Sequence, residues 1–167
     1  MKRAAAALAF AAAVAVACPS RAQEVIAVDA ALAESTNNWG FNGDLRVGYR
    51  TGLSRILYGW IFQFELVGGY RHIFSSIGDL NMGRVGGGLR TGFSIYGLQV
   101  LPFVHVSAAD ASGYWGELVD LGAALDWRFN WVSIGSHYDH GFLHLDSGWQ
   151  HFDEVGAHVE FRGYWLE

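Results

Sequence analysis

The sequence predicts an all-β protein: a closed, antiparallel, up-and-down transmembrane β-barrel of about eight strands. Three observations carry this. Apolar and polar residues alternate with a period of two over most of the chain after Phe41, the spacing of a strand with two unlike faces. The polar faces carry arginines, carboxylates and glycines, which suits a narrow interior better than a surface in water. The apolar faces collect aromatic rings toward the segment ends, as the two interfacial girdles of a membrane barrel require.

Taken in order, residues 1–22 read as a secretory signal, with basic Lys2 and Arg3, an apolar run from Ala4 to Ala17, and small Ser20 and Ala22 before the cut. The run is too short and alanine-rich to span a membrane as a helix. Residues 23–167 are then one barrel domain, exported to the outer membrane. Segment 25–33 puts Ile26, Val28, Ala30 and Leu32 opposite Asp29, and 41–50 puts Phe41, Leu45, Val47 and Tyr49 opposite Asn42, Asp44, Arg46 and Arg50. In 58–71, Trp60, Phe62, Phe64, Leu66 and Tyr70 oppose Gln63, Glu65 and Arg71; in 81–92, Val85 and Leu89 oppose Arg84 and Arg90. Segment 97–107 sets Leu98, Val100, Val104 and Val106 against Gln99, His105 and Ser107, and 117–129 sets Leu121, Leu125, Trp127 and Phe129 against Asp120, Asp126 and Arg128. In 131–141, Val132, Ile134 and Tyr138 oppose His137 and Asp139; in 154–165, Val155, Val159, Phe161 and Trp165 oppose Glu154, His158, Glu160, Arg162 and Tyr164.

An even strand count puts both termini on one side. The gaps 34–40, 72–80, 108–116 and 142–153 are the longer ones and are expected to be outer loops, while 93–96 and the neighbourhood of Asn130 are short turns and 51–57 is intermediate.

The polar faces predict an interior in which Arg46, Arg71, Arg84, Arg90, Arg128 and Arg162 pair with Asp44, Glu65, Asp120, Asp126 and Glu160, with glycines making room. Unpaired buried charge is very costly, so such a network fills the lumen and disfavours an open pore. Tyr49, Trp60, Tyr70, Trp127, Trp131 and Trp165 are the expected girdle residues. Trp39, Phe74, Tyr114, Trp115 and Trp149 fall in the expected loops, as anchors for a partner or as further girdle.

Composition narrows the function. Residues 23–167 hold eight arginines and no lysine against all 16 carboxylates, which argues against nucleic acid as a partner. The sole cysteine, Cys18, lies in the expected signal, so the mature chain has no disulfide. Gly86-Gly87-Gly88 is followed by strand and not by a helix start, so it is no phosphate loop. Five of the seven histidines lie in 137–158, interspersed with Asp139, Asp146, Asp153 and Glu154. His137, His140 and His144 are the metal-ligand candidates by residue type. Strand alternation scatters them over both faces, so polar lining is the preferred reading and no cofactor is expected.

The strand rhythm, the strand opening Leu101-Pro102-Phe103-Val104 and the closing run His158-Val159-Glu160-Phe161-Arg162-Gly163-Tyr164-Trp165 resemble the small eight-stranded outer-membrane barrels of the opacity-protein and OmpX type. That resemblance implies outer-membrane lipid and lipopolysaccharide as surroundings, and recognition of the C-terminal strand by the barrel-assembly machinery. Family members end on the aromatic, whereas Leu166 and Glu167 follow here. His137-Tyr138-Asp139-His140 with Glu154, and the segment 117–125, are also similar to the outer-membrane lipid A deacylases. Those carry a His-x-Ser pair and a Glu on the last two strands, which would give His137 and Glu154 catalytic roles. Asp139 stands where the nucleophilic serine is expected, and alternation turns His137 inward. The leading expectation is a non-enzymatic barrel with surface loops for adhesion, envelope integrity or interaction. A lipid A acyl hydrolase and a soluble periplasmic barrel binding an apolar ligand are the alternatives. The oligomeric state stays open.

Overall fold

The computed structural model describes residues 23–35, 38–50, 60–74 and 79–163. The expected signal at 1–22, and Tyr164 and Trp165, lie outside these. Eight strands follow one another: β1 (Gln23–Ser35), β2 (Asn38–Arg50), β3 (Trp60–Phe74), β4 (Leu80–Ile95), β5 (Leu98–Ala111), β6 (Tyr114–Phe129), β7 (Val132–Leu145) and β8 (Gly148–Gly163). Each pairs antiparallel with its neighbour in sequence, and β8 returns to β1, closing the barrel. Closure leaves no edge strand with unpaired backbone groups.

The side-chain faces follow from the alternation. Ile26, Val28, Leu45, Val47, Leu66, Val85, Val100, Leu121, Leu125, Ile134 and Val155 all face outward and are exposed. Asp29, Arg46, Glu65, Arg71, Arg90, Asp120, Asp126, Glu154 and Glu160 face inward and are buried. A soluble barrel reverses this arrangement.

The strands are longer than the alternation in polarity suggests, and the long outer connections are absent. The expected gap at 108–116 is the two-residue turn Ser112-Gly113, and that at 142–153 is Asp146-Ser147. The gap at 34–40 shrinks to 36–37 and that at 72–80 to 75–79. The longest connection is 51–59, at the end that carries the termini, and it lies outside the described residues.

The physical reason is an inversion of polarity at the outer end. There Ile73, Met82, Ala109, Ala111, Leu118, Leu143, Leu145 and Phe152 point inward and form a buried apolar cluster. The residues pointing outward are Glu34, His72, Asn81, Asp110, Glu117, His140, His144, His151 and Asp153, interspersed with aromatic rings. Pairing continues through this region, but a sequence reading that demands apolar-outward residues ends each strand too early. The strands run 13–16 residues, whereas about 9–11 cross a bilayer. The excess is the inverted cuff.

Two turns hold both of their residues at positive φ. Tyr96 (49°) and Gly97 (91°) join β4 to β5, and Ser112 (52°) and Gly113 (91°) join β5 to β6. These are two-residue hairpin turns whose twist matches the strands. The β4–β5 register skips from the Arg90–Phe103 pair to the Phe93–Val100 pair. The skipped stretch faces Pro102, which has no N–H to donate.

Candidate functional site

The interior is built from charged and amide side chains whose strand positions bring them to the axis. Arg46 of β2 donates to both oxygens of Asp29 at 2.6 and 3.0 Å and to Glu65 at 2.6 Å. Glu65 also accepts from Gln63 at 2.7 Å, meets His105 Nε2 at 2.8 Å, and lies 3.3 Å from Arg90 Nε. Nearer the termini, Arg50 donates to Gln63 at 2.8 Å and to Glu160 at 3.0 Å, and Arg162 donates to Glu160 at 2.9 Å and to Ser133. Toward the cuff, Arg84 bridges Asp44 and Asp120, and Arg71 meets Glu154. Asn42 ties the carboxylates of Asp44 and Glu154 at 3.2 and 2.9 Å.

Arg71 and Arg90 also lie over aromatic faces, those of Phe152 at 4.5 Å and Phe103 at 4.9 Å. Cation–π contact suits a planar cation that is short of acceptors. Glycine supplies the room. A Cβ at Gly69 would collide with the Asp44 carboxylate, and one at Gly135 with Asp126 and the His158 ring.

Of the residues assigned to the interior from sequence, Arg46, Glu65, Arg71, Arg84, Arg90, Asp120, Asp126, Glu160 and Arg162 are buried there. Asp126 faces His158 and not an arginine, with 3.0 Å between His158 Nε2 and the carboxylate. Arg128 is half-buried, with its Nε 3.4 Å from the Asn130 carbonyl. The sequence places Asp29, Arg50, Gln63, His105, Asp139 and His158 on polar strand faces but not in the predicted ion-pair network, which they join or adjoin in the structure. Their inward parity was the available signal.

His137 and Glu154 both face the lumen, buried to 8 % and 1 % exposure. An enzyme attacking bilayer lipid needs its groups on the outer wall, and these point away from it. His140 and His144 face outward while His137 faces inward, so the three cannot share an ion. The structure gathers a different set, Asp29, His137 and His158.

On the outer wall, Tyr49, Trp60 and Trp127 lie at or near strand ends, Tyr70 lies within β3 and Trp131 in the turn before β7; Trp165 lies outside the described residues. Trp60 packs on Phe93, and Trp131 stacks on Phe161, near the end that carries the termini. Trp39 packs against Phe74 at the opposite end. Trp39, Phe74, Tyr114, Trp115 and Trp149 are strand residues and not loop residues. Two similar polar bridges sit at the cuff. Tyr70 and His72 both engage Asn81, and Tyr138 and His140 both engage Asp153, at 2.5 and 2.9 Å in the second case.

No family profile and no curated protein sequence matches the chain. Solved structures do. Neisserial surface protein A superposes with a TM-score of 0.67 at 15 % identity, covering 85 % of this chain and 99 % of that one. The outer membrane enzyme PagL gives 0.57 at 11 % identity, covering 81 % and 98 %. Ail of Yersinia pestis, in complex with the heparin analogue sucrose octasulfate, gives 0.50 at 13 % identity, covering 84 % and 98 %. At these identities the likeness is one of fold. An inward-charged, outward-aliphatic, closed barrel of eight strands that superposes on such proteins over nearly their whole length has the fold of the small outer-membrane β-barrels.

Proposed function

We propose that the chain is an integral outer-membrane barrel that neither conducts nor catalyses, and that it acts through its outer wall and cuff to support the envelope. The observation that carries this reading is the filled lumen. Among the described residues, six buried arginines and eight buried carboxylates, most of them paired, fill the inside of the wall, and the apolar cluster caps the outer end. A conducting barrel of this strand number would need an interior free of such side chains.

The wall fits two environments. The aliphatic band between aromatic ends suits bilayer hydrocarbon. The cuff, with Glu34, Asp110, Glu117 and Asp153 outside and apolar residues inside, suits the wet, cation-rich headgroup layer of lipopolysaccharide. Adhesion through long loops has little to stand on, because the described outer connections are tight turns. The C-terminal strand would present the chain to the barrel-assembly machinery.

The test is reconstitution into planar bilayers together with mass spectrometry of lipid A from cells expressing the protein. Absence of discrete conductance steps and unchanged lipid A acylation are the expected results. Stable single-channel steps would overturn the closed-lumen reading, and loss of an acyl chain would restore the hydrolase.

A further inference from the structure

One buried group joins the arginine network only through the Arg46–Asp29 pair. It lies where β7, β8 and β1 meet, at the seam that closes the barrel. Asp29 of β1 is the register partner of His158 of β8. His137 of β7 stands opposite Gly156, where a Cβ would come within 2.5 Å of its ring. The missing side chain lets the imidazole lie across β8 toward β1. His137 Nδ1 and His158 Nδ1 are 3.8 and 3.6 Å from the same Asp29 oxygen. One ligand atom from each residue falls within 4.8 Å of the other two.

Three observations point to a cation there. Neither Nδ1 has a hydrogen-bond partner, nor has His158 Nε2, though all three are buried, a costly state for a polar atom unless something else is bound. The far side of each ring is turned to a carboxylate: His158 Nε2 lies 3.0 Å from Asp126, and His137 Nε2 lies 3.9 Å from Asp139. Neither contact is an aligned hydrogen bond, but a carboxylate on that side favours a proton on Nε2 electrostatically and leaves the Nδ1 lone pair on the Asp29 side, the side from which an ion would be bound. Finally, among the described residues eight buried carboxylates face six buried arginines, so acceptor groups outnumber the guanidinium groups of the lumen.

We propose that Asp29, His137 and His158 bind one divalent transition ion of the zinc class, which staples the closing seam of the barrel. Two imidazole nitrogens and one carboxylate suit such an ion, whereas calcium and magnesium prefer oxygen ligands throughout. Zinc bonds near 2.0–2.1 Å place ligand atoms about 3.3 Å apart, so the site closes with a small inward shift. Arg46 shares Asp29, but it is also held by Glu65 at 2.6 Å. The ion takes the remaining lone pair of the oxygen that both histidines face. The three ligands come together only when β1 meets β8, so binding is coupled to closure.

The test uses the full-length protein purified in detergent, unfolded, and refolded in chelator-treated buffer with cobalt(II) as the spectroscopic probe. One equivalent of cobalt with visible d–d bands is expected, displaced by zinc, with a higher temperature for the gel-shift unfolding transition when metal is present. Asp126→Asn keeps all three ligands and should weaken cobalt binding by about 10–100-fold. His137→Gln should abolish the bands, and a variant with His140, His144 and His151 all replaced by alanine should keep them. If His137→Gln does not fold, the wild-type spectrum and Asp126→Asn still decide. Absence of bands in the wild type overturns the proposal. So do bands that survive His137→Gln or vanish in the surface variant, and metal that binds without shifting the transition.

Discussion

At the residue scale, Glu65 is the most heavily engaged side chain of the interior, holding Arg46, Arg90, Gln63 and His105. Deleting one partner of a buried ion pair costs more than the pair itself contributes, because the remaining charges are left without compensation. Glu65→Ala should therefore destabilise the barrel by about 3–5 kcal/mol, read as a lower urea midpoint in detergent. Glu65→Gln should cost less, since it keeps the volume and part of the hydrogen bonding. Equal midpoints for the alanine variant and the parent would mean that water takes over these contacts. Period-two counting places Arg46 and Glu65 on inward faces, where the structure has them. It could not pair Asp126 with His158, because the two meet over Gly135 of the strand between them, and which side chains share such a position depends on strand register and not on sequence spacing.

Each strand changes character along its length, and a single outward face should show it. Leu125 and Val155 face outward in the aliphatic band; His144 faces outward in the cuff. Leu125→Arg should cost about 2–4 kcal/mol, and the same charge near the membrane boundary about 0–1 kcal/mol, so His144→Arg should be nearly neutral. The inward face responds in the opposite sense. Leu118, fully buried in the cuff cluster, should lose about 2–5 kcal/mol on change to alanine. Folding titrations into lipid vesicles measure all three. A His144→Arg penalty as large as that of Leu125→Arg would place the cuff inside the bilayer. The cuff was hard to read from sequence because its alternation persists with reversed sign, and a reversed strand beside glycine and aspartate looks like a loop.

For the molecule as a whole, closure by β1 and β8 joins residues at opposite ends of the chain, so the barrel forms as one cooperative unit with no described strand left as an open edge. Unheated protein should migrate faster than boiled protein on a detergent gel and should partition with the outer-membrane fraction. Recovery as a soluble periplasmic species with a single gel mobility would contradict both the membrane reading and the closed wall. The filled lumen should also keep the barrel silent in planar bilayers.

The sequence by itself determined the fold class, the strand order and the face on which nearly every side chain sits. A two-residue period leaves only two directions, and charge and aliphatic residues choose between them throughout the membrane band. The tertiary structure decided where the strands end, because inward and outward polarity exchange places in the cuff and only backbone pairing shows that the strand goes on. It also decided which buried groups meet. Asp29, His137 and His158 come from strands at opposite ends of the chain and converge only because the barrel closes, a relation that no local spacing can encode.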